Sequence, residues 1–233
     1  MAFKLITPPA VEPLKVSDVE AQIRADLSAE TALIESMIAV VRERAEIITR
    51  RALITQTWEI TLDWFHQDIT LPFPPLQSVT SVKYIDTEGI EQTLSANDYI
   101  VDTDSEPARL VPAYGKEWPW TRRQPNAVRI RIVCGYSFPL FDAEAVYPVG
   151  AQAKYIDGLS YRAKVATAAG DLPTDTAKWE TVSESESVPQ SIRQWMLLQI
   201  ASMHENREGV SKDSMNVLPF VDGLLSSYRV VSF

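Results

Sequence analysis

The chain has 233 residues, a formal charge of −9, 45% hydrophobic residues and one cysteine. These values fit one substantial soluble domain with room for a smaller one, and a lone Cys134 excludes an internal disulfide framework. The acidic balance argues against a protein that grips DNA through clustered Lys and Arg, but fits a surface that DNA slides past.

The opening MAFKLITPPAVEP is broken by prolines before an apolar core of signal-peptide length develops. No apolar run approaches the roughly 20 residues of a membrane span. A chain made in a cytoplasm, with no membrane partner, is the expectation. Leu5 to Pro13 reads as extended. A helix is predicted over 17–27, with Ser17 as its cap and Val19, Ile23 and Leu27 at spacing four. It leads by a tight break into a long helix over 28–52. There Leu33, Ile34, Met37, Ile38, Val41, Ala45 and Ile48 form one apolar face, with Glu35, Arg42, Glu43, Arg44 and Glu46 mostly opposite. Ser28 is placed to cap this helix, Glu30 suits its positive end, and Arg50 and Arg51 lie at its negative end.

After Ala52 the period changes to two. Trp58, Ile60, Leu62 and Trp64 alternate with polar residues, a strand signature that opens a β region over 55–137. Pro72, Pro74 and Pro75 exclude a helix and any central strand position. SVTSVKYID, EGIEQTLSA, DYIVDTD, ARLVPA and AVRIRIVCGY supply further short strands, as an antiparallel sheet set into a helical protein would. Residues 141–184 are small, Gly- and Thr-containing and β-like, and read as an inserted minidomain that must lean on its host or on neighbours. Helices are predicted again over 189–207, with Pro189 in the first turn, and over 220–227. The layout is α+β: a helical assembly core, an inserted antiparallel β region and a small β minidomain. The core occupies 1–140 and 185–233.

Catalytic chemistry finds no support in the sequence. His204-Glu205-Asn206-Arg207-Glu208 begins like a zinc-protease helix but has Glu208 where the second imidazole belongs, and His66 is the only other histidine. Asp102, Asp104 and Glu106 alternate like calcium ligands, yet Pro107 follows where that loop needs a turn glycine, so an exposed acidic turn is favoured. Cys134 sits in an apolar strand and reads as a buried structural thiol. No enzyme, cofactor or metal site is expected. Trp118, Trp120, Arg122 and Arg123 read either as a protein-contact loop or as a loop packing its own rings over the sheet. The terminal LPF and YRVVSF are short apolar segments, read as ordered by a partner ahead of the alternative that they dock on the parent domain.

An ordered set of segments resembles the head–tail connector, or head-completion adaptor, family of long-tailed bacteriophages. The set runs from Leu5-Ile6-Thr7-Pro8-Pro9 through the helix pair and Arg50-Arg51-Ala52-Leu53-Ile54-Thr55-Gln56-Thr57-Trp58 to Leu71-Pro72-Phe73-Pro74-Pro75-Leu76-Gln77-Ser78-Val79. It continues at Tyr99 to Asp104, Arg109-Leu110-Val111-Pro112, Arg129 to Tyr136, Val188-Pro189, Ile192-Arg193-Gln194 and His204 to Glu208. It ends at Leu218-Pro219-Phe220, Leu224-Leu225 and Tyr228-Arg229. The resemblance implies a virion structural protein at the neck. Its partners would be neighbouring copies in a ring of about twelve, the portal protein above and the next neck or tail protein below, with DNA passing through unbound. It also implies that Leu218, Phe220, Tyr228, Val230, Val231 and Phe233 anchor the C-terminal tail on the portal. Trp118, Trp120, Arg122 and Arg123 then suit a tail or neighbour contact.

Within the insertion, Tyr147-Pro148-Val149-Gly150, Lys154-Tyr155, Tyr161-Arg162-Ala163 and Asp171-Leu172-Pro173 with Trp179 resemble a small chitin-binding-type carbohydrate-binding module. In such modules Tyr155, Tyr161 and Trp179 would stack on sugar, the alternative function being a carbohydrate-binding surface module on the virion. Val165 stands where those modules carry an aromatic ring. The three rings then serve more simply as the core of a decorative fold or of a contact to a neighbouring subunit or whisker-like protein.

Overall fold

The computed structural model describes residues 1–206 and 219–230. They form eleven strands and four α-helices in an α+β arrangement. In chain order these are β1 (Ala2–Thr7), α1 (Val16–Ile23), α2 (Thr31–Thr49), β2 (Gln56–Leu62), β3 (Ile69–Thr70), β4 (Leu76–Ile85) and β5 (Glu91–Thr93). They continue with β6 (Tyr99–Asp102), β7 (Arg109–Pro112), β8 (Val128–Cys134), β9 (Gln152–Lys154), β10 (Ser160–Ala163), β11 (Trp179–Val182), α3 (Gln190–Glu205) and α4 (Pro219–Ser226).

The four helices share one apolar core. Ile34, Met37, Ile38, Val41 and Ala45 of α2 recur at three and four residues and are buried with Ile192, Trp195, Met196 and Ile200 of α3 and Val221 and Leu225 of α4. Both N-terminal helices are shorter than the periodicity predicts, because their ends are set by backbone geometry that periodicity does not report. Ser17 lies inside α1. The residue before the helix is Lys15, whose N–H donates to the Asp18 carboxylate at 2.9 Å. Arg24 then turns left-handed, φ 59°, and closes α1 with its N–H on the Glu20 carbonyl. Ser28 caps nothing with its hydroxyl: residues Ser28–Glu30 form a 3-10 turn ahead of α2. Arg50, φ 56°, ends α2 three residues after Ile47. Arg42, predicted on the polar face, is buried, because Glu12 at 2.8 Å and Glu46 at 2.9 Å neutralise it inside the protein.

The main sheet has the order β1-β2-β8-β4-β5, antiparallel throughout. Its central pair sets Ile60 opposite Ile130 and Trp58 opposite Ile132. The N-terminal segment, read from sequence only as extended, is an edge strand with Phe3 opposite Ile60 and Leu5 opposite Trp58. Trp64 departs from the expected alternation: β2 ends at Leu62 and Trp64 is exposed. A second sheet, β3-β7-β6, adds Ile69 and Leu110 to the same core. The helical layer meets the sheet where Gly135 leaves β8. Its φ is 122°, and a Cβ there would lie 2.3 Å from the Ile54 carbonyl oxygen, so only glycine lets these backbones cross.

Residues 141–184 carry a third sheet, β11-β10-β9. Tyr161, Ala163 and Trp179 are its buried interior, packed by Phe141, Tyr147 and Tyr155. The following 3-10 turn, Glu184–Ser187, ties it to the host: Glu184 accepts from Lys154 at 3.3 Å and from the Thr55 hydroxyl, and Glu186 pairs with Arg162.

Candidate assembly surfaces

At the start of β2, three elements leave an apolar groove of about 690 Å³. β1 contributes Phe3 and Leu5, the outer side of α2 contributes Ile47, and the proline segment before β4 contributes Phe73. Phe73 has a left-handed backbone, φ 63°, which turns its ring onto Trp58 at 4.4 Å and toward Phe3 at 5.4 Å. The groove's floor is polar but satisfied. The Glu46 carboxylate accepts from the Leu53 N–H, the Gln56 side chain and Arg42. Burial pushes Glu46 above the usual carboxylate range, against these hydrogen bonds and the charge of Arg42.

Ile47 is 77% exposed. With Leu33 and Val40 it forms an exposed apolar line at spacing seven on the side of α2 away from the core, spanning about 21 Å by helix rise. Leu33, expected on the buried face with Ile34, is instead turned to solvent, and Val40 and Ile47 were missed although the spacing was legible. Sequence reasoning also missed Phe3 and Phe73, whose convergence depends on β1 pairing and on the Phe73 backbone.

The C-terminal end of the described chain runs to this groove. The Val230 N–H donates to the Thr49 carbonyl at 3.0 Å, and Val230 lines the groove. Arg51 holds the same segment: its Nε donates to the Tyr228 carbonyl at 2.6 Å while its two terminal nitrogens hold Glu106 at 2.5 and 2.6 Å. Arg51 is only 8% exposed, and its hydrogen bonds to Glu106 raise its pKa despite its burial. Of the six tail positions expected to meet a partner, Val230 lines the groove, while Tyr228 packs against the helical core with its carbonyl on Arg51. Leu218, Val231 and Phe233 lie outside the described residues, as does the side chain of Phe220.

Trp118, Trp120, Arg122 and Arg123 lie at the other end of the strands, and part of this loop packs over the sheet. Trp118 stacks on Phe65 at 4.7 Å, with its Nε1 donating to the Gln67 carbonyl at 3.3 Å, and so packs over the sheet. The Arg122 N–H donates to the Ile85 carbonyl at 3.0 Å, and its guanidinium fills the space over Gly89. These two fix the loop. Trp120, 87% exposed, and Arg123 are left outward, around a groove of about 630 Å³ shared with Trp64 and Phe65.

The three rings considered for sugar stacking are turned inward. Trp179 is 1% exposed, Tyr161 is buried with its hydroxyl on Asp157 at 2.7 Å, and Tyr155 is half-buried against Phe141. Sugar stacking needs an open ring face, and the outer surface here presents Ile156, Leu159, Val149 and Val165 instead. The remaining candidates fall apart in the same plain way. His204 faces Glu30 at 3.3 Å, while His66 lies against Trp64. Asp102 is committed to Arg109 and Ser105 and held at about 2, whereas Glu106 turns to Arg51. Cys134 is fully buried, and burial, helped by the nearby Glu46 charge, pushes its thiol up to about 12. Among the described residues no three His, Cys, Asp or Glu side chains are grouped to hold a metal ion, and no helix is long and apolar enough to cross a membrane.

No family model matches the chain, and no curated protein matches it in sequence. Solved structures do share its fold. A chain from the virion of a native gene transfer agent particle is 19% identical with a TM-score of 0.67, over 100% of this chain and 97% of that one. A chain from the neck of the empty particle, computed with C6 symmetry, is 20% identical with a TM-score of 0.64 over the same shares. One from the neck of the native particle, computed with C12 symmetry, is 19% identical with a TM-score of 0.60, over 99% and 97%. At such identities the likeness is one of fold, and it runs the length of both chains.

Proposed function

We propose that this chain is a structural component of the neck of a phage-like particle. It is a ring-forming adaptor that binds beneath the portal after DNA packaging and docks the next neck or tail component. The observation that carries the reading is the end-to-end likeness to chains of gene transfer agent particles, two of them from necks computed with six- and twelvefold symmetry. A ring of copies around a channel would let DNA pass an acidic protein of charge −9 without adhering. Function here is binding. Arg51 holds Tyr228, and Val230 is held at the edge of an apolar groove, so the tail emerges from a fixed point. Leu218, Phe220, Val231 and Phe233 join them as the portal anchors, and the loop of Trp118, Trp120, Arg122 and Arg123 meets a neighbour or the tail side.

The test is co-sedimentation with DNA-filled, tailless phage heads, comparing the full chain with one ending at Ser226. Saturable binding by the full chain and at least tenfold weaker binding by the shortened one is the expected result. Absence of binding by the full chain would reject the neck adaptor.

A further inference from the structure

We infer that the ring is closed by a head-to-tail contact in which Trp120 of one copy seats in the groove of Phe3, Ile47 and Phe73 on the next. The inference rests on the ring reading above and names the surfaces that would build it. The two features stand at opposite ends of the same strands. β2 leaves the groove at Gln56 and Trp58 and delivers Asp63 to Phe65 to the Trp120 loop; β4 starts beside Phe73 and ends at Ile85, whose carbonyl holds Arg122. Seven residues of β2 separate them by roughly 20 Å at a strand's rise. Two unlike patches at opposite ends of one molecule make a heterologous contact, the kind that closes into rings, and no two-fold pair.

Shape and chemistry match as well. Trp120 is the most exposed tryptophan and stands on a loop fixed by Trp118 and Arg122, so it docks with little ordering cost. The groove is apolar and open, and continues along α2 through Val40 and Leu33, which gives the neighbour's loop a line to lie against. Arg123 flanks the donor tryptophan; on the groove's lining the exposed Glu43 stands 3.8 Å from Arg42, with the exposed Arg50 nearby, so the rim carries both signs of charge. An aromatic anchor on a rigid loop entering an apolar pocket is how small contacts acquire affinity.

Sedimentation of the full chain over rising concentration tests this, with Trp120→Ala and Ile47→Asp, both exposed positions at which the fold should persist. Each variant is expected to need at least tenfold higher concentration to associate. An equal mixture of the two should form a one-to-one pair and stop there, because Trp120→Ala retains an intact groove and Ile47→Asp an intact tryptophan. Association that neither variant weakens means that another segment or another neck component fills the groove. That result overturns this contact and leaves the ring standing. A wild-type chain that stays monomeric throughout also overturns the contact, and head co-sedimentation then judges the neck reading separately.

Discussion

In the helical layer, Ile34, Ile38, Val41 and Ala45 interlock with Ile192, Trp195, Met196 and Ile200, and no single side chain fills the space alone. The small sheet of β9, β10 and β11 is built otherwise: Trp179 and Tyr161 are its interior, and Trp179 meets the rings of Tyr147 and Phe141 at 5.3 and 6.0 Å. An aliphatic core spreads its stabilisation over many side chains, each worth about 1.5–3 kcal/mol when buried. A three-stranded sheet too small for that concentrates it in one indole, and adds ion pairs such as Arg162–Glu180 and Lys178–Asp171 at its surface. The difference teaches where each part is vulnerable. The host should fail through its backbone crossings, the small sheet through one side chain.

The largest effect is expected at Gly135. Alanine there sets a Cβ against the Ile54 carbonyl and the Thr55 nitrogen, one peptide group of the crossing backbone that has no side-chain freedom to yield. Gly135→Ala should lower stability by about 5 kcal/mol or more in urea unfolding, among the largest single-residue costs. A loss below about 1 kcal/mol would show that the crossing relaxes easily and that the host shares no such weak point.

Next comes Trp179→Ala, at about 3–5 kcal/mol for a buried indole. The loss should be local: amides of β9 to β11 exchange faster while those of α2 and α3 keep their protection. Trp179→Phe sharpens the point. The indole Nε1 is buried with no hydrogen-bond partner among the described residues, so phenylalanine forfeits no bond and should cost less than half as much. Equal loss of protection in α2 would mean that the small sheet and its host unfold as one unit.

Much of the host was legible beforehand because periodicity reports which face is buried. The positions three and four apart in α2 and the period-two run of β2 pointed to most of their buried residues, with Leu33 and Trp64 the exceptions. What escaped was set by contacts between distant residues. Arg42 looks like a solvent-facing cation until Glu12, thirty residues earlier, comes beside it. The edge strand β1 carries almost no burial of its own, so its pattern says nothing about pairing. In the small sheet the aromatic residues were legible but their direction was not, since a ring that stacks on sugar and a ring that fills a core have the same letter. The groove was hidden for a related reason: a positive φ at Phe73, between prolines, leaves no mark in composition.

The smallest expected effect separates the two regions by pH. Glu106 is held below its usual value of 4.5 first by its hydrogen bond to Arg51 and then by that guanidinium's charge. A depressed carboxylate gives its full contribution above its ordinary pKa and loses it as pH falls through the folded value, so this pair weakens below about pH 4.5. Glu46 runs the other way, since burial raises it: its cost is absent well below the ordinary value of 4.5, grows as pH rises above it and is complete once pH passes the raised value. Because half of Glu106 is exposed, Glu106→Gln should cost only about 1–2 kcal/mol at neutral pH, well under a fully buried pair. The variant should also lose stability less steeply than the wild type below pH 4.5, with faster exchange at the Val230 amide that Arg51 steadies through Tyr228. The small sheet has its own depressed carboxylate, Asp171 on Lys178, so its acid loosening should be the same in both proteins. A variant in which β10 and Val230 respond alike would show that Arg51 braces the whole chain rather than the groove and the tail that leaves it.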